Sequence, residues 1–285
     1  LNSIQDLYSR GKILLEKAAN PYLEARIILL KSLGISEVSF YVNPNRSISE
    51  AQKEEYLQSV SKRAEGMPLA YIIEEKEFWS IPFKVCPGVL IPRPETELLV
   101  EKVLELSSGK RELIVDLGTG AGNIAVSLAS ELPEAEIVAT DVSQKALDVA
   151  AENAARLNLS SIRFEKGGLF EPLEKLRLQE KCDMIVSNPP YVSESEWPLL
   201  QDDIRLYEPE DALVAGRTGL EFIQSLIEGS PSFLKPGGYL CLEIGHGQKE
   251  KSLSLFGDNW GAVHSYNDLS GIPRVITAQL NRSAL

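Results

Sequence analysis

Apolar residues in the first quarter of the chain recur at helical spacing, with no alternating stretch that reads as a strand. Asn20-Pro21 places a capping side chain and a proline at a first helical position, just ahead of "YLEARIILLKSLG". Ser49 and Gln52 fit a capping box that opens "EAQKEEYLQSVSKRAEG", whose charges fall mostly on one side. These signals predict a small helical bundle over residues 1–70. Physics alone leaves open whether such a bundle is a structural cap or holds a macromolecular partner.

Between Tyr71 and Pro92 the texture changes. "YIIEEKEFWSIPFKVCPGVLIP" alternates apolar and polar residues and is broken at Ser80 and at Pro87-Gly88, which predicts a β-hairpin linker over residues 71–92. "RPETELLVEKVLEL" then resumes helical spacing, with Pro94 near its start. From Glu112 onward strands and helices alternate. "LIVDLG", "EIVATD", "SIRFEKG", "CDMIVSN" and "GGYLCLEIG" read as strands, and "NIAVSLASEL", "SQKALDVAAENAARLN" and "GLEFIQSLIEGSPSFL" read as helices. "GAVHSYND" and "RVITAQL" look like two final strands. The alternation predicts an α/β domain over residues 93–285, a mostly parallel sheet covered by helices on both faces. In such a sheet ligands bind beyond the carboxyl ends of the strands, near the topological switch point. That rule singles out Asp116 to Gly122, Asp141, the turn near Gly168, and Ser187 to Tyr191.

Composition narrows the classes. The 285 residues are long for one compact domain and comfortable for two. A net charge of −12 tilts against a non-specific duplex-DNA binder, which needs cations to displace counterions from phosphates. Cys86, Cys182 and Cys241 are widely spaced without any Cys-x-x-Cys, which fits a reduced chain with buried thiols. His246 and His264 are too few and scattered for a zinc site, so no metal is expected. No apolar run approaches a membrane span, and Asp6 and Glu16 interrupt the N-terminal stretch where a signal peptide would be apolar. A cytoplasmic monomer, with no direct contact to nucleic acid or membrane, is expected.

"DLGTGAG" follows the first strand of the α/β part and leads into a helix. Gly118, Gly120 and Gly122 allow a tight turn and a close ligand approach. Their Gly-x-Gly-x-Gly spacing argues mildly against a dinucleotide, and no Gly-Lys-Ser or Gly-Lys-Thr follows for a nucleoside triphosphate. Asp141 ends the second strand, where a carboxylate accepts hydrogen bonds from adjacent ribose hydroxyls. Each feature taken separately also reads as a plain turn or a helix start. Together, at neighbouring strand ends, they point to a nucleoside cofactor.

Asn188-Pro189-Pro190-Tyr191 ends the fourth strand. The lone pair of an amide or ring amino nitrogen is delocalised, so methylating it requires positioning and acceptors for its N–H groups. The Asn188 side-chain oxygen and the Pro189 main-chain carbonyl supply two acceptors. The prolines fix their φ angles and remove competing donors, and Tyr191 offers a flat face for a planar group. An Asn-Pro turn is also a common loop signal, and its place beside a cofactor loop favours the catalytic reading.

The glycine spacing, the ribose acid and the strand pattern resemble the class I S-adenosylmethionine-dependent methyltransferases, which implies a Rossmann-like sheet with a final antiparallel strand, here Arg274 to Leu280. The tetrapeptide occurs in enzymes acting on adenine in DNA, guanine in RNA and protein glutamine. "LIPRPETE", "DLGTGAGNIAVSLA", "ATDVSQKALDVAAENA", "SNPPYV", "YEPEDALVAG", "GLEFI" and "LEIGHGQ" resemble the HemK/PrmC family over residues 70–285, and the helical N-terminal part is of that family's kind. The resemblance implies N5 methylation of the glutamine in the Gly-Gly-Gln loop of class-1 peptide chain release factors. By the same carry-over, Gly118, Thr119, Gly120, Ala121 and Gly122 hold the methionyl group of S-adenosylmethionine, Asp141 the ribose and Leu169 the adenine, with Val142 also among the cofactor-binding residues. Asn188 also borders the cofactor, Asn188 to Tyr191 clamp the glutamine, and the N-terminal helices contact the release factor. "PRPETE" matches the release-factor enzymes rather than the sister group acting on a ribosomal protein. Glu95 and Glu97 read physically as favourable charges at a helix start, and Arg93, Glu208 and Glu243 as structural supports.

One position departs from the family pattern. The third strand leads into "GGLF", with Gly168 where the family usually has Asp, so either a contact to the adenine amino group or a loop hydrogen bond worth about 1 kcal/mol is expected to be weakened, changing affinity and not activity. The competing readings are methylation of a ribosomal-protein glutamine or a nucleic-acid base, and a non-catalytic release-factor adaptor. Acidity counts against a nucleic-acid base, and the intact Asn188 and Tyr191 count against the adaptor.

Overall fold

A computed structural model describes residues 3–281 as two compact units. The outermost positions of the expected domains, residues 1–2 and 282–285, lie outside the described residues. The first unit takes the chain up to Glu75 together with Gln201–Tyr207; the second takes Lys76–Leu200 and the chain from Glu208 onward.

The first unit is built from α1 (Ile4–Leu14), α2 (Pro21–Leu33), α3 (Glu37–Val42), α4 (Glu50–Ala64) and α5 (Leu69–Ile73). Asn20 caps α2 through Leu23 N at 3.1 Å, and the Ser49–Gln52 capping box on α4 is formed in both directions. Ile4, Leu7, Ile28, Leu29, Tyr56 and Val60 fill its core. The sequence pattern places Tyr71 to Ile73 in the hairpin linker, and here the structure differs. Leu69 and Ile72 pack on the helical core, Tyr71 is buried, and Glu74 ends the turn at φ +58°. Packing Leu69, Tyr71 and Ile72 on an existing apolar surface outweighs the alternation that follows them.

A hairpin of β1 (Glu75–Phe78) and β2 (Ile81–Lys84) follows. Trp79 and Ser80 both turn through positive φ, the geometry a two-residue hairpin loop requires. Phe78 and Phe83 meet edge to face at 6.0 Å and join the core under α6 (Glu97–Leu106). Glu97 Oε1 accepts the Trp79 amide at 2.8 Å, so this carboxylate fixes the hairpin turn as well as favouring a helix start.

The sheet consists of β3 (Leu113–Leu117), β4 (Glu136–Asp141), β5 (Ile162–Lys166), β6 (Cys182–Ser187), β9 (Leu234–Glu243), β10 (Trp260–Asn267) and β11 (Pro273–Leu280); the short pair β7 (Val192–Ser193) and β8 (Val214–Gly216) stands apart. Its order is β10-β11-β9-β6-β3-β4-β5, parallel throughout except for β11, which runs antiparallel to both neighbours. Successive residues serve opposite faces, as a pleated strand demands. Ile114, Ile137, Ala139, Met184 and Val186 join one core layer with α6, α7 (Asn123–Glu131) and α8 (Gln144–Arg156). Val115, Val138, Ile185, Leu240 and Leu242 join the other with α9 (Glu171–Lys175) and α11 (Glu221–Gly229). The expected helix over "GLEFIQSLIEGSPSFL" stops at Gly229, because Pro231 cannot continue it, and β9 starts five residues later at Leu234. Between β7 and β8 the chain forms α10 (Asp202–Tyr207), which belongs to the helical unit and whose Tyr207 hydroxyl donates to Glu65 O at 3.1 Å. Among the described residues no helix is long and apolar enough to cross a membrane.

Candidate active site

The strand order reverses between β3 and β6, and their exits hold the two motifs. Ser187 Oγ, at the end of β6, donates to Leu117 O, at the end of β3, across 2.7 Å. A cavity of about 520 Å³ opens beyond them. Gly118, Gly120, Asp141, Val142, Leu169, Asn188, Pro189 and Pro190 line it, together with Val89, Leu90, Asp211 and Phe222. Its volume and largely apolar wall are those of a small-molecule site.

The glycine loop is held from β4: Gly118 N and Thr119 N both donate to Thr140 O, at 2.9 and 2.8 Å. Gly118 and Gly120 turn at φ +78° and +56°, and no atom stands within 4 Å of where a Cβ would be. That open space is left for a ligand. Gly122 serves a different purpose. A Cβ there would meet Ala150 Cβ at 2.9 Å, so the glycine lets α7 and α8 approach, and it does not line the cavity. Thr119 and Ala121 face a second space of about 20 Å³ that shares Leu90, Gly118, Gly120 and Asn188 with the first. Thr119 is buried and donates to Asp116 Oδ2 at 2.6 Å. Ala121 O accepts Asn153 Nδ2 at 2.9 Å.

Asp141 holds the loop and faces the cavity at once. Its Oδ2 accepts Gly120 N and its Oδ1 accepts Ser143 N, each at 2.9 Å. Each oxygen keeps a further lone pair, enough for a diol. Burial pushes this carboxyl up, the amides of Ser143 and Gly120 draw it back, and the Asp211 charge pushes it up again. Leu169 lines the cavity with its backbone at φ +44°, a left-handed conformation costly for a branched side chain. These features fit S-adenosylmethionine: a carboxylate for ribose, apolar walls for a base, and open space at Gly118 and Gly120 for the methionyl end.

At the other exit, Asn188 Nδ2 donates to Thr96 Oγ1 at 3.0 Å, which leaves Oδ1 as the acceptor available to a ligand. Pro189 is buried and Pro190 half-buried in the wall. Tyr191 is not among the lining residues. Its ring packs on the second core layer, its hydroxyl donates to Glu243 Oε1 at 3.4 Å, and its carbonyl accepts Gln248 Nε2 at 2.8 Å. Burial drives its phenol well above the usual range. Arg93 and Glu208 act as supports: Glu208 Oε1 accepts Arg93 Nη2 at 2.6 Å and Oε2 accepts Ile91 N at 3.2 Å, anchoring the segment beside the cavity.

Sequence reasoning overlooked Thr96, Asp211, Phe222 and the Gly88-Val89-Leu90 arm. Thr96 is 1% exposed, and in the sequence its charged neighbours Glu95 and Glu97 mask it. Leu90, Asp211 and Phe222 fall in stretches that carry the family resemblance ("LIPRPETE", "YEPEDALVAG" and "GLEFI"), but only the fold brings them to the cavity.

Residues 6–73 match the PrmC N-terminal domain model and residues 94–202 the Methyltransferase small domain model. The chain is 38% identical to a release factor glutamine methyltransferase of Koribacter versatilis, covering 91% of both chains. It is 36% identical to the one of Geobacter sulfurreducens, covering 96% of this chain and 94% of that one. The solved structure of a methyltransferase from Pyrococcus furiosus shares the fold at TM-score 0.52 and 19% identity, covering 72% of this chain and 92% of that chain. The chain belongs to the release factor glutamine methyltransferase family.

Proposed function

We propose that this protein transfers a methyl group from S-adenosylmethionine to the side-chain amide nitrogen (N5) of the glutamine in the Gly-Gly-Gln loop of class-1 peptide chain release factors, in the cytoplasm and as a monomer. The observation that carries the proposal is the Asn188 amide, bound through Nδ2 to Thr96 in the wall of a nucleoside-sized cavity, with Oδ1 left to accept. Curated relatives of matching length bear the release-factor activity in their names.

S-adenosylmethionine, when bound, supplies a methyl group on a positively charged sulfur. Gly118, Gly120, Asp141, Val142 and Leu169 are the residues assigned to hold it, with Thr119 and Ala121 at the adjoining space and Gly122 setting the approach of α7 to α8. Asn188 Oδ1 and the Pro189 carbonyl each accept one N–H of the substrate amide, which holds the NH2 group flat and turns its π face to the reacting centre. Pro189 and Pro190 keep those acceptors from being satisfied by neighbouring amides and fix their spacing. In net, the nitrogen gains the methyl and one N–H proton leaves to water. Residues 1–70 are assigned to bind the release factor, residues 71–92 to link, and residues 93–285 to carry the chemistry.

The experiment is incubation with labelled cofactor and either release factor or DNA, followed by mass spectrometry. One added methyl on the Gly-Gly-Gln glutamine is expected, and label on nucleic acid alone would refute the proposal. Asn188→Ala should abolish transfer while the cofactor still binds.

A further inference from the structure

Behind the Asn188 amide runs a polar chain that no part of the chemistry above explains. Thr96, at the entrance to α6, accepts from Asn188 Nδ2 at 3.0 Å. Its hydroxyl stands beside the carboxylate of Glu243, the last residue of β9. Both residues are 1% exposed. Glu243 Oε1 takes the Tyr191 hydroxyl at 3.4 Å, and Oε2 is buried without a hydrogen bond of ordinary geometry, so the carboxylate is short of donors.

An Asn amide has two orientations of nearly the same shape. Only the one with Oδ1 toward the substrate accepts an N–H; the flipped one presents a donor to a donor. Asn188 cannot choose by packing, because its two ends are alike in volume. A threonine hydroxyl facing it does not choose either, since a hydroxyl both donates and accepts. A buried carboxylate on the far side of that hydroxyl breaks the tie. It accepts only, so it draws the single hydroxyl hydrogen to itself, and Thr96 is left with lone pairs for Nδ2.

We propose that Thr96 and Glu243 are positioning residues that set the polarity of the Asn188 amide, with Glu243 orienting the Thr96 hydroxyl and Thr96 in turn holding Nδ2 so that Oδ1 faces the substrate. The inference rests on the methyl-transfer reading above. The groups facing Glu243 are Thr96 and Glu95 ahead of α6, Tyr191 beyond β6, and Arg274 on β11. Burial pushes the Glu243 carboxyl up to about 7, and Thr96, Arg274 and Tyr191 hold it from going higher while Glu95 works against them. A protonated Glu243 is itself a donor. It would give its hydrogen to Thr96, and the threonine hydrogen would then turn toward Asn188 and select the wrong amide orientation. Transfer should therefore weaken as pH falls through about 7, with the cofactor still bound.

The test uses the full chain with labelled S-adenosylmethionine and release factor. Thr96→Val keeps the shape and removes the hydroxyl; Thr96→Ser restores it; Glu243→Gln replaces the acceptor-only group by one that also donates. For Thr96→Val, kcat should drop about tenfold or more, with cofactor affinity by calorimetry within about twofold of the parent. Thr96→Ser should recover most of that loss. The parent's kcat should rise with pH through about 7, and Glu243→Gln should be slow with that rise gone. Parental kcat in Thr96→Val, or Thr96→Ser no better than Thr96→Val, overturns the role of Thr96. An unchanged pH profile in Glu243→Gln overturns the role of Glu243. If the parent itself leaves the release-factor glutamine unmodified, the proposed function fails and this inference with it; transfer by the parent with parental Thr96→Val kinetics defeats the inference alone.

Discussion

Asp141 Oδ2 accepts the backbone amide of Gly120 at 2.9 Å, so the acid expected to hold a ribose also holds the loop expected to wrap the rest of the cofactor. Its other oxygen accepts Ser143 N at 2.9 Å, fixing the start of α8. Asp141→Asn leaves one of those two amides facing an NH2 group, at a cost of about 1–3 kcal/mol. Cofactor affinity in calorimetry should drop at least about tenfold, and the urea midpoint should fall as well. A variant with weakened binding and unchanged stability would show that the loop contacts contribute nothing to folding.

Gly122 separates loop flexibility from helix packing. An alanine there brings its Cβ to 2.9 Å from Ala150 Cβ and 3.1 Å from Ala150 Cα, at a backbone φ of +81°. Backbone cannot swing aside as the end of a long side chain can, so both strain and overpacking apply, about 2–4 kcal/mol together. Gly122→Ala should lower the urea midpoint without changing the slope. Gly118→Ala, with open space at its Cβ position, should cost only about 1–2 kcal/mol of backbone strain and act chiefly on ligand binding.

The parts of the molecule legible in the sequence are those where one physical rule acts unopposed. β3, β4 and β6 are buried on both faces, and a strand of that kind is written as a short, mostly apolar run such as the "LIV" that opens β3 or the "MIV" within β6. The switch-point rule singles out the exits of β3 and β6, where Gly118 and Asn188 line the cavity. Tyr71 to Ile73 misled because alternation and burial pointed different ways, and burial against the helical core prevailed. Thr96 was hidden by its charged neighbours. Glu95 and Glu97 explained "PETE" well enough as helix-start charges, and only packing shows that the residue between them is the buried one that reaches Asn188. The stacking expected of Tyr191 likewise came from its type alone, while its ring packs on the core and its hydroxyl on Glu243.

Two buried carboxyls set the stability profile near neutrality. Burial pushes Asp116 up to about 7 from 3.8, against the Thr119 hydrogen bond, and Glu243 up to about 7 from 4.5. In both, the folded chain keeps the proton longer than the unfolded one. Their favourable contribution is fully present below the unfolded values and is lost as pH rises through about 7. Glu105 and Glu152, held low by hydrogen bonds from Lys102 and Lys84, work in the opposite direction, but their loss begins only once pH falls below the ordinary carboxylate range. Melting temperature should therefore decline between about pH 5 and about pH 8. Asp116→Asn, which keeps the acceptor for Thr119 and removes one titration, should show a shallower decline across a pH series of thermal melts. An equal slope in variant and parent would mean that Asp116 does not titrate in this window.

Gly168 offers the reverse kind of test, a gain. It lines the cavity next to Leu169, where the family pattern has an aspartate. Its backbone is outside the left-handed region, and a Cβ there would meet only Val142 Cγ1, at 3.5 Å, an ordinary contact. Gly168→Asp should therefore be tolerated within about 0.5 kcal/mol of the parent's stability. The new carboxylate supplies an acceptor for an adenine amino group, worth about 1 kcal/mol, or about fivefold in dissociation constant. Against that stands repulsion from Asp141 and Asp211, which also line the cavity. Asp211 is exposed, so water and salt screen much of it, and the hydrogen bond should prevail. Calorimetry with S-adenosylmethionine should show tighter binding. Unchanged affinity at every salt concentration would show that the adenine amino group is satisfied elsewhere and that the glycine at this position is neutral.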